Sequence, residues 1–140
     1  MFTVYVLAVL TKGNDVLLIR RCNATFGNGL YSLVGGKLEH NEPVRRAIKR
    51  EVLEEVALDI PESMFTLVHT FHRKGPQSDF LALCFKADIT TMHPINNEPL
   101  KHDDMQFFSI DALPITIVPA HAQAIKAIAC NSTYSEHGWE

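Results

Sequence analysis

The residues from Gly35 to Leu58 constrain this chain more than any other stretch. A glycine pair, Gly35-Gly36, leads into a run of helix formers that ends among the acids Glu51, Glu54 and Glu55. Pro43 suits a first helical turn, where its missing N–H would lack an intrahelical partner anyway. Asn41 and Glu42 ahead of it read as a cap and as an acid at the positive end of the helix dipole. With Ile48 at zero and about 100° per residue, Val44, Val52 and Val56 fall roughly within −40° to +80°, the core-facing arc. Glu51 falls at roughly −60° and Glu55 at roughly −20°, so both point along the buried side; Glu54, at roughly −120°, borders that side next to Ala47.

A solvated charged face would set these acids opposite the valines, and Glu51 and Glu55 do not lie there. A buried carboxylate without a partner is costly, and three of them at i, i+3 and i+4 repel one another. Either arginines or a divalent cation must neutralise them. Arg50, the neighbouring base, falls almost opposite on the same wheel. Clustered hard oxygen ligands favour Mg²⁺, with Mn²⁺ also suited. The competing reading is a structural ion-pair network on the helix, which predicts no dependence on metal.

Gly36, five residues, Glu42, seven residues, then Arg50-Glu51-Val52-Leu53-Glu54-Glu55-Val56-Ala57-Leu58 resembles the signature of the Nudix hydrolases of the MutT type. Every chemically active position of that signature is matched. Ala57 stands where the family has a helix-ending glycine, and Val34 where a proline often precedes the glycine pair. The resemblance implies that the Gly36 carbonyl, Glu51, Glu54 and Glu55 bind the metal. It also implies that Glu42 and Arg50 act behind these ligands, with Arg50 holding a glutamate in position.

Net charge is −3, from 13 Lys and Arg against 16 Asp and Glu, which leaves no basic footprint for long nucleic acid. A nucleotide needs only a local basic pocket. Three cysteines, Cys22, Cys84 and Cys130, lack CxxC spacing, so neither a disulfide framework nor a zinc site is expected and the plain reading is a reduced, cytoplasmic protein. The apolar start, Met1 to Leu10, lacks a basic leader and a small-residue cleavage site, and no apolar run approaches a membrane span.

Along the chain, Phe2 to Leu10 and Val16 to Arg20 read as a hairpin around Lys12-Gly13-Asn14-Asp15. Tyr31 to Val34 is a short strand delivering the glycine pair. Phe65 to Phe71, Phe80 to Ala87 and Met105 to Ile110 read as further strands, and Pro119 to Cys130 as a second helix. His69 and His72 read as packing or surface residues. Strands alternating with two helices imply an α/β fold, a mixed sheet with a helix on each face. The resemblance sharpens this to a Nudix-type α/β/α sandwich, one domain over residues 1–140. Tyr134 and Trp139 could cap the core, stack on a base or pack in a homodimer.

The activity implied is Mg²⁺-dependent hydrolysis of a diphosphate linkage in a small nucleotide, first of all a nucleoside triphosphate to monophosphate and pyrophosphate. ADP-ribose, sugar nucleotides and dinucleoside polyphosphates remain alternatives, as does a Nudix-fold module that binds a nucleotide without cleaving it. Arg21 and Lys37 are the candidates for phosphate contact, Arg21 ahead of Arg20. Glu54 is the candidate base. Asp104, ahead of Glu98 and Asp103 in the polar loop 90–104, is the reserve. The resemblance implies that a polar residue soon after Leu113-Pro114 can read the base; the candidates are Thr116 and Ile117, and Ile117 cannot make such a bond, which argues against a strict guanine preference.

Overall fold

The computed structural model describes residues 2–139. Strand β1 (Thr3–Lys12) turns at Gly13, whose φ of +60° suits a tight turn, into β2 (Asp15–Arg21). Strands β3 (Tyr31–Ser32) and β4 (Val34–Lys37) lead to helix α1 (Val44–Val56). A 3₁₀ turn at Glu62–Met64 precedes β5 (Thr66–Arg73) and β6 (Phe80–Asp88). The chain then runs through β7 (His102–Ser109), α2 (Pro119–Ala129) and β8 (Tyr134–His137).

These strands form one eight-stranded mixed sheet. The β1–β6 and β5–β8 pairs are parallel and the others antiparallel. Strand β1 pairs with β2 only beside the turn, through Thr11 and Lys12, and then takes β4 as its neighbour over Tyr5–Ala8. Period-two alternation along β1 builds two cores. Val6, Ala8 and Leu10 pack with Ile48, Val52 and Val56 of α1, while Leu7 and Val9 pack with Ala120, Ala124 and Ile125 of α2. Both faces are covered, which is why β1 reads as an unbroken apolar run.

The two helices and the mixed sheet are as expected, with element ends shifted by a few residues. The short strand β8 is not foreseen, because its sequence, Tyr-Ser-Glu-His, has no apolar alternation. It forms by parallel pairing to β5, a non-local contact. Trp139 beyond it donates to the His72 carbonyl at 3.2 Å and packs on the His72 ring.

The α1 N-terminus differs from expectation. Pro43 occupies the capping position with no side-chain cap bond. Asn41 takes a left-handed φ of +60°, and Glu42 turns away from the helix end toward Arg50. The charge-assisted fork to a guanidinium is a stronger bond than a dipole contact.

Candidate active site

Helix α1 buries one face through Ala47, Ile48, Glu51, Val52, Glu55 and Val56, so the two acids share the core-facing arc with the valines. Glu51 and Glu55 are each 8% exposed, whereas the Glu54 side chain is 49% exposed. The glycine pair makes this burial sterically workable. A β-carbon on Gly36 would meet the Glu51 carboxylate, and one on Gly35 would meet the Val6 carbonyl across the β1–β4 ladder. The Gly35 N–H donates to Glu55 Oε1 at 2.8 Å.

Burial raises the pKa of Glu51, an effect that Arg50 opposes. Burial pushes Glu55 further, to about 8, with the Gly35 N–H working against the shift and the charges of Glu51 and Glu98 adding to it. Glu55 is thus a deeply placed acid without a cationic partner of its own on the helix.

Arg50 does not point away from the acids as the wheel suggests. Its side chain folds back, and the Cα direction is a poor guide for so long a residue. Nε and Nη2 grip Glu42 as a fork at 2.6 and 3.0 Å, and Nη1 donates to Glu51 Oε1 at 2.9 Å. Glu54 lies 3.4 Å from the same nitrogen. Arg50 therefore neutralises part of the acid cluster and holds Glu51 beneath Gly36.

The loop between β6 and β7 reaches the other end of α1. Ile95 N–H donates to the Val56 carbonyl at 2.9 Å and Asn97 N–H to the Glu55 carbonyl at 3.0 Å. Helix C-termini leave carbonyls unsatisfied, and this loop supplies their donors. It thereby delivers Glu98 and His102, whose ligand atoms lie with one of Glu55 within 4.8 Å of one another. Two carboxylates and an imidazole are a donor set that fits a divalent cation. His102 Nδ1 is buried without a hydrogen-bond partner.

Asp104 is not part of this group. It accepts from the Tyr31 hydroxyl at 2.5 Å and from Gln106 Nε2 at 2.7 Å, and those bonds hold its pKa below the ordinary value. His102 and Asp104 share parity along β7, and a slip in register separates them: His102 pairs with Arg21 and Asp104 with Arg20. Glu98, one of the three loop acids, is the one beside Glu55.

A cavity of about 780 Å³ opens over Gly36, Glu51, Glu55 and His102. Arg21 and Lys37 line it, and Arg73 from β5 lines it too. Arg20 instead pairs with Asp103 at 2.7 Å. The cavity wall also carries Tyr5, Phe71 and Phe80 from adjacent strands, an aromatic surface that no local pattern announces. His121 of α2 completes it. Its Nδ1 accepts the Leu33 N–H at 3.0 Å, and burial followed by the charges of Arg21 and Arg73 pulls its pKa down to about 3. Ile117 packs in the α2-side core and does not line the cavity; neither Tyr134 nor Trp139 lines it.

Residues 1–128 match the family model for the NUDIX domain. Over 108 residues the chain is 32% identical to an NAD-capped RNA hydrolase, NudC, of Pseudomonas aeruginosa, a match that covers 77% of this chain and 36% of that protein. It is 33% identical over 110 residues to an ADP-ribose pyrophosphatase of Methanocaldococcus jannaschii, covering 76% of this chain and 61% of the relative. The chain thus spans about a third of the length of the NudC relative. The fold superposes on the crystal structure of a MutT NUDIX hydrolase from Burkholderia pseudomallei with a TM-score of 0.81 and 26% identity, over 90% of this chain and 97% of that one. With the charged positions of the signature in place, the sandwich architecture formed and residues 1–128 of the chain matched by the family model, the chain belongs to the Nudix family.

Proposed function

We propose that this protein hydrolyses the diphosphate linkage of a nucleotide in a reaction that depends on a divalent cation, with a nucleoside triphosphate as first substrate, yielding monophosphate and pyrophosphate. One juxtaposition carries the reading. Buried carboxylates that suit a cation share a cavity with Arg21, Lys37 and Arg73, which have no carboxylate partner among the described residues. Such a cavity offers cation ligands and phosphate-binding charge side by side.

Glu51, Glu55 and Glu98, with the Gly36 carbonyl and Glu54, would hold Mg²⁺ or Mn²⁺. When bound, the ion supplies charge neutralisation at phosphate oxygens and makes water more acidic. Arg50 keeps Glu51 in place, and outer partners of this kind orient ligands. Arg21 and Lys37 meet the phosphates, with Arg73 at the cavity's far strand. Glu54, solvent-open and one residue from Glu55, accepts the water's proton; Glu98 replaces Asp104 as the reserve, because Asp104 is committed to Tyr31 and Gln106. The aromatic wall receives the base.

The reading takes residues 1–140 as one Nudix domain. The described residues contain no helix long and apolar enough to cross a membrane, and the free cysteines Cys22, Cys84 and Cys130 support a cytoplasmic setting. The ADP-ribose pyrophosphatase relative keeps ADP-ribose as the second substrate class to assay.

The test is a nucleotide panel with Mg²⁺ and Mn²⁺, read as phosphate, pyrophosphate and monophosphate. Turnover should fall at least about a hundredfold in Glu54→Gln or Glu55→Gln, the scale of lost acid–base help. Turnover unchanged in both variants removes the site assignment. Nucleotide binding with no cleavage across the panel makes the domain a binding module.

A further inference from the structure

His102 differs from the other enclosed histidines of this fold. His69 uses both ring nitrogens, Nδ1 with the Ser132 carbonyl and Nε2 with Ser135 Oγ, each at 2.8 Å. His121 uses Nδ1 to accept the Leu33 N–H. His102 is only 6% exposed, yet its Nδ1 has no partner. Its Nε2 stands 3.8 Å from Glu55 Oε2, too far for a hydrogen bond. Neither ring nitrogen of His102 thus has a hydrogen-bond partner among the described residues, and Nε2 is the one that faces Glu55. A packing histidine is expected to satisfy its ring, because a buried polar nitrogen without a partner is costly.

The 3.8 Å separation has another meaning. Donors about 2.1 Å from a common octahedral ion lie about 3 Å apart when adjacent and about 4.2 Å apart when opposite. The His102–Glu55 spacing falls between these limits. Glu98 completes the group, and it is rigidly placed. His102 N–H donates to the Glu98 carbonyl at 3.0 Å, and Asn96 Nδ2 donates to the His102 carbonyl at 2.7 Å. Asn97 N–H anchors the same loop to the Glu55 carbonyl at 3.0 Å. Carboxylate, carboxylate and imidazole thus converge from two elements more than forty residues apart.

We propose that His102 is a nitrogen ligand to the divalent cation held by Glu55 and Glu98, and that it shifts this site's preference from Mg²⁺ toward a first-row transition ion. Mg²⁺ takes oxygen donors and sheds water reluctantly, whereas transition ions gain from an imidazole. Nothing in the Nudix signature between Gly36 and Leu58 contains this residue; it comes from β7. The inference rests on the cation-dependent reading above, and its test reads binding rather than turnover.

The experiment titrates the metal-free full chain with Mn²⁺ and records the electron spin echo of the bound ion. Modulation from a coordinated ¹⁴N is expected in the unaltered protein and is lost in His102→Gln. The same substitution weakens Mn²⁺ binding about tenfold or more, the scale on which ligand surroundings act, while Mg²⁺ binding, read by competition, changes less than about threefold. Should His102→Gln fail to fold, judged by circular dichroism, the echo of the unaltered protein decides alone. Bound Mn²⁺ without nitrogen modulation, or modulation that survives the substitution, overturns the ligand assignment and leaves hydrolysis standing. No Mn²⁺ binding at all overturns this assignment and the cation-dependent function together.

Discussion

The Glu51 carboxylate fills the space in which a β-carbon on Gly36 would stand: Oε1 lies 2.5 Å and Cδ 2.6 Å from that point. Gly36 is therefore a steric requirement of the acid cluster, set by close approach. Gly36→Ala should displace Glu51 from beneath the strand. Misplacement by about 1 Å can reduce rate on the order of a hundredfold, and overpacking costs about 1–3 kcal/mol. Steady-state kinetics beside urea unfolding checks both. Full activity in a normally folded variant would remove the steric argument.

Arg50 bridges Glu42 and Glu51 with a planar fork that lysine cannot reproduce. Arg50→Lys should lower turnover by more than about tenfold, in line with the loss of a residue that orients ligands. It should also destabilise the fold by roughly 1–3 kcal/mol, since charge-assisted bonds to two largely buried acids are lost. Thermal unfolding and metal titration on one preparation separate the two effects.

Ala57 ends α1 at φ 58° and ψ 31°, with its N–H bonded to the Leu53 carbonyl at 3.1 Å. A non-glycine residue in the left-handed region costs about 1–2 kcal/mol, part of which glycine returns through its freer unfolded chain. Ala57→Gly should raise stability by roughly 0.5–1 kcal/mol and leave metal binding unchanged. A lower midpoint in denaturant would contradict it.

His121 accepts the Leu33 N–H and so must be neutral at Nδ1. Its pKa, lowered to about 3 from 6.5, means that the unfolded chain binds a proton below pH 6.5 that the folded chain refuses. The stability is whole above 6.5 and falls as pH drops toward 3, with a limiting slope of about 1.4 kcal/mol per pH unit. The ring borders the cavity and is only partly enclosed, so the measured slope is smaller than this limit. Glu55, raised to about 8, acts in the opposite sense, since the folded state keeps its proton longer than the unfolded chain does. The comparison of unaltered protein with His121→Asn cancels that contribution. Urea unfolding between pH 5 and about 6.5 should show a flatter pH dependence in the variant.

Much of the fold is legible in local pattern. The unbroken apolar run of β1 fits a strand buried on both faces, and the valines of α1 mark a helix whose acids share its buried arc. Strand β8 is silent because pairing to β5, rather than its own composition, makes it a strand. Arg50 misleads on a helical wheel because the wheel describes Cα directions and a guanidinium sits far from its Cα.

By itself, the sequence from Gly35 to Leu58 determines that two carboxylates are buried on one helix beside a glycine turn, since spacing within a helix sets direction. Tertiary structure alone decides what meets them. The carbonyls at the end of α1 need donors, Ile95 and Asn97 supply them, and that capping brings Glu98 and His102 to Glu55. The pairing of β2 with β7 likewise puts His102 opposite Arg21 and leaves Asp104 with Tyr31. The capping bonds and the β2–β7 pairing join residues about forty to eighty positions apart through backbone hydrogen bonds, which nearly every residue type can make, so no local sequence pattern encodes them.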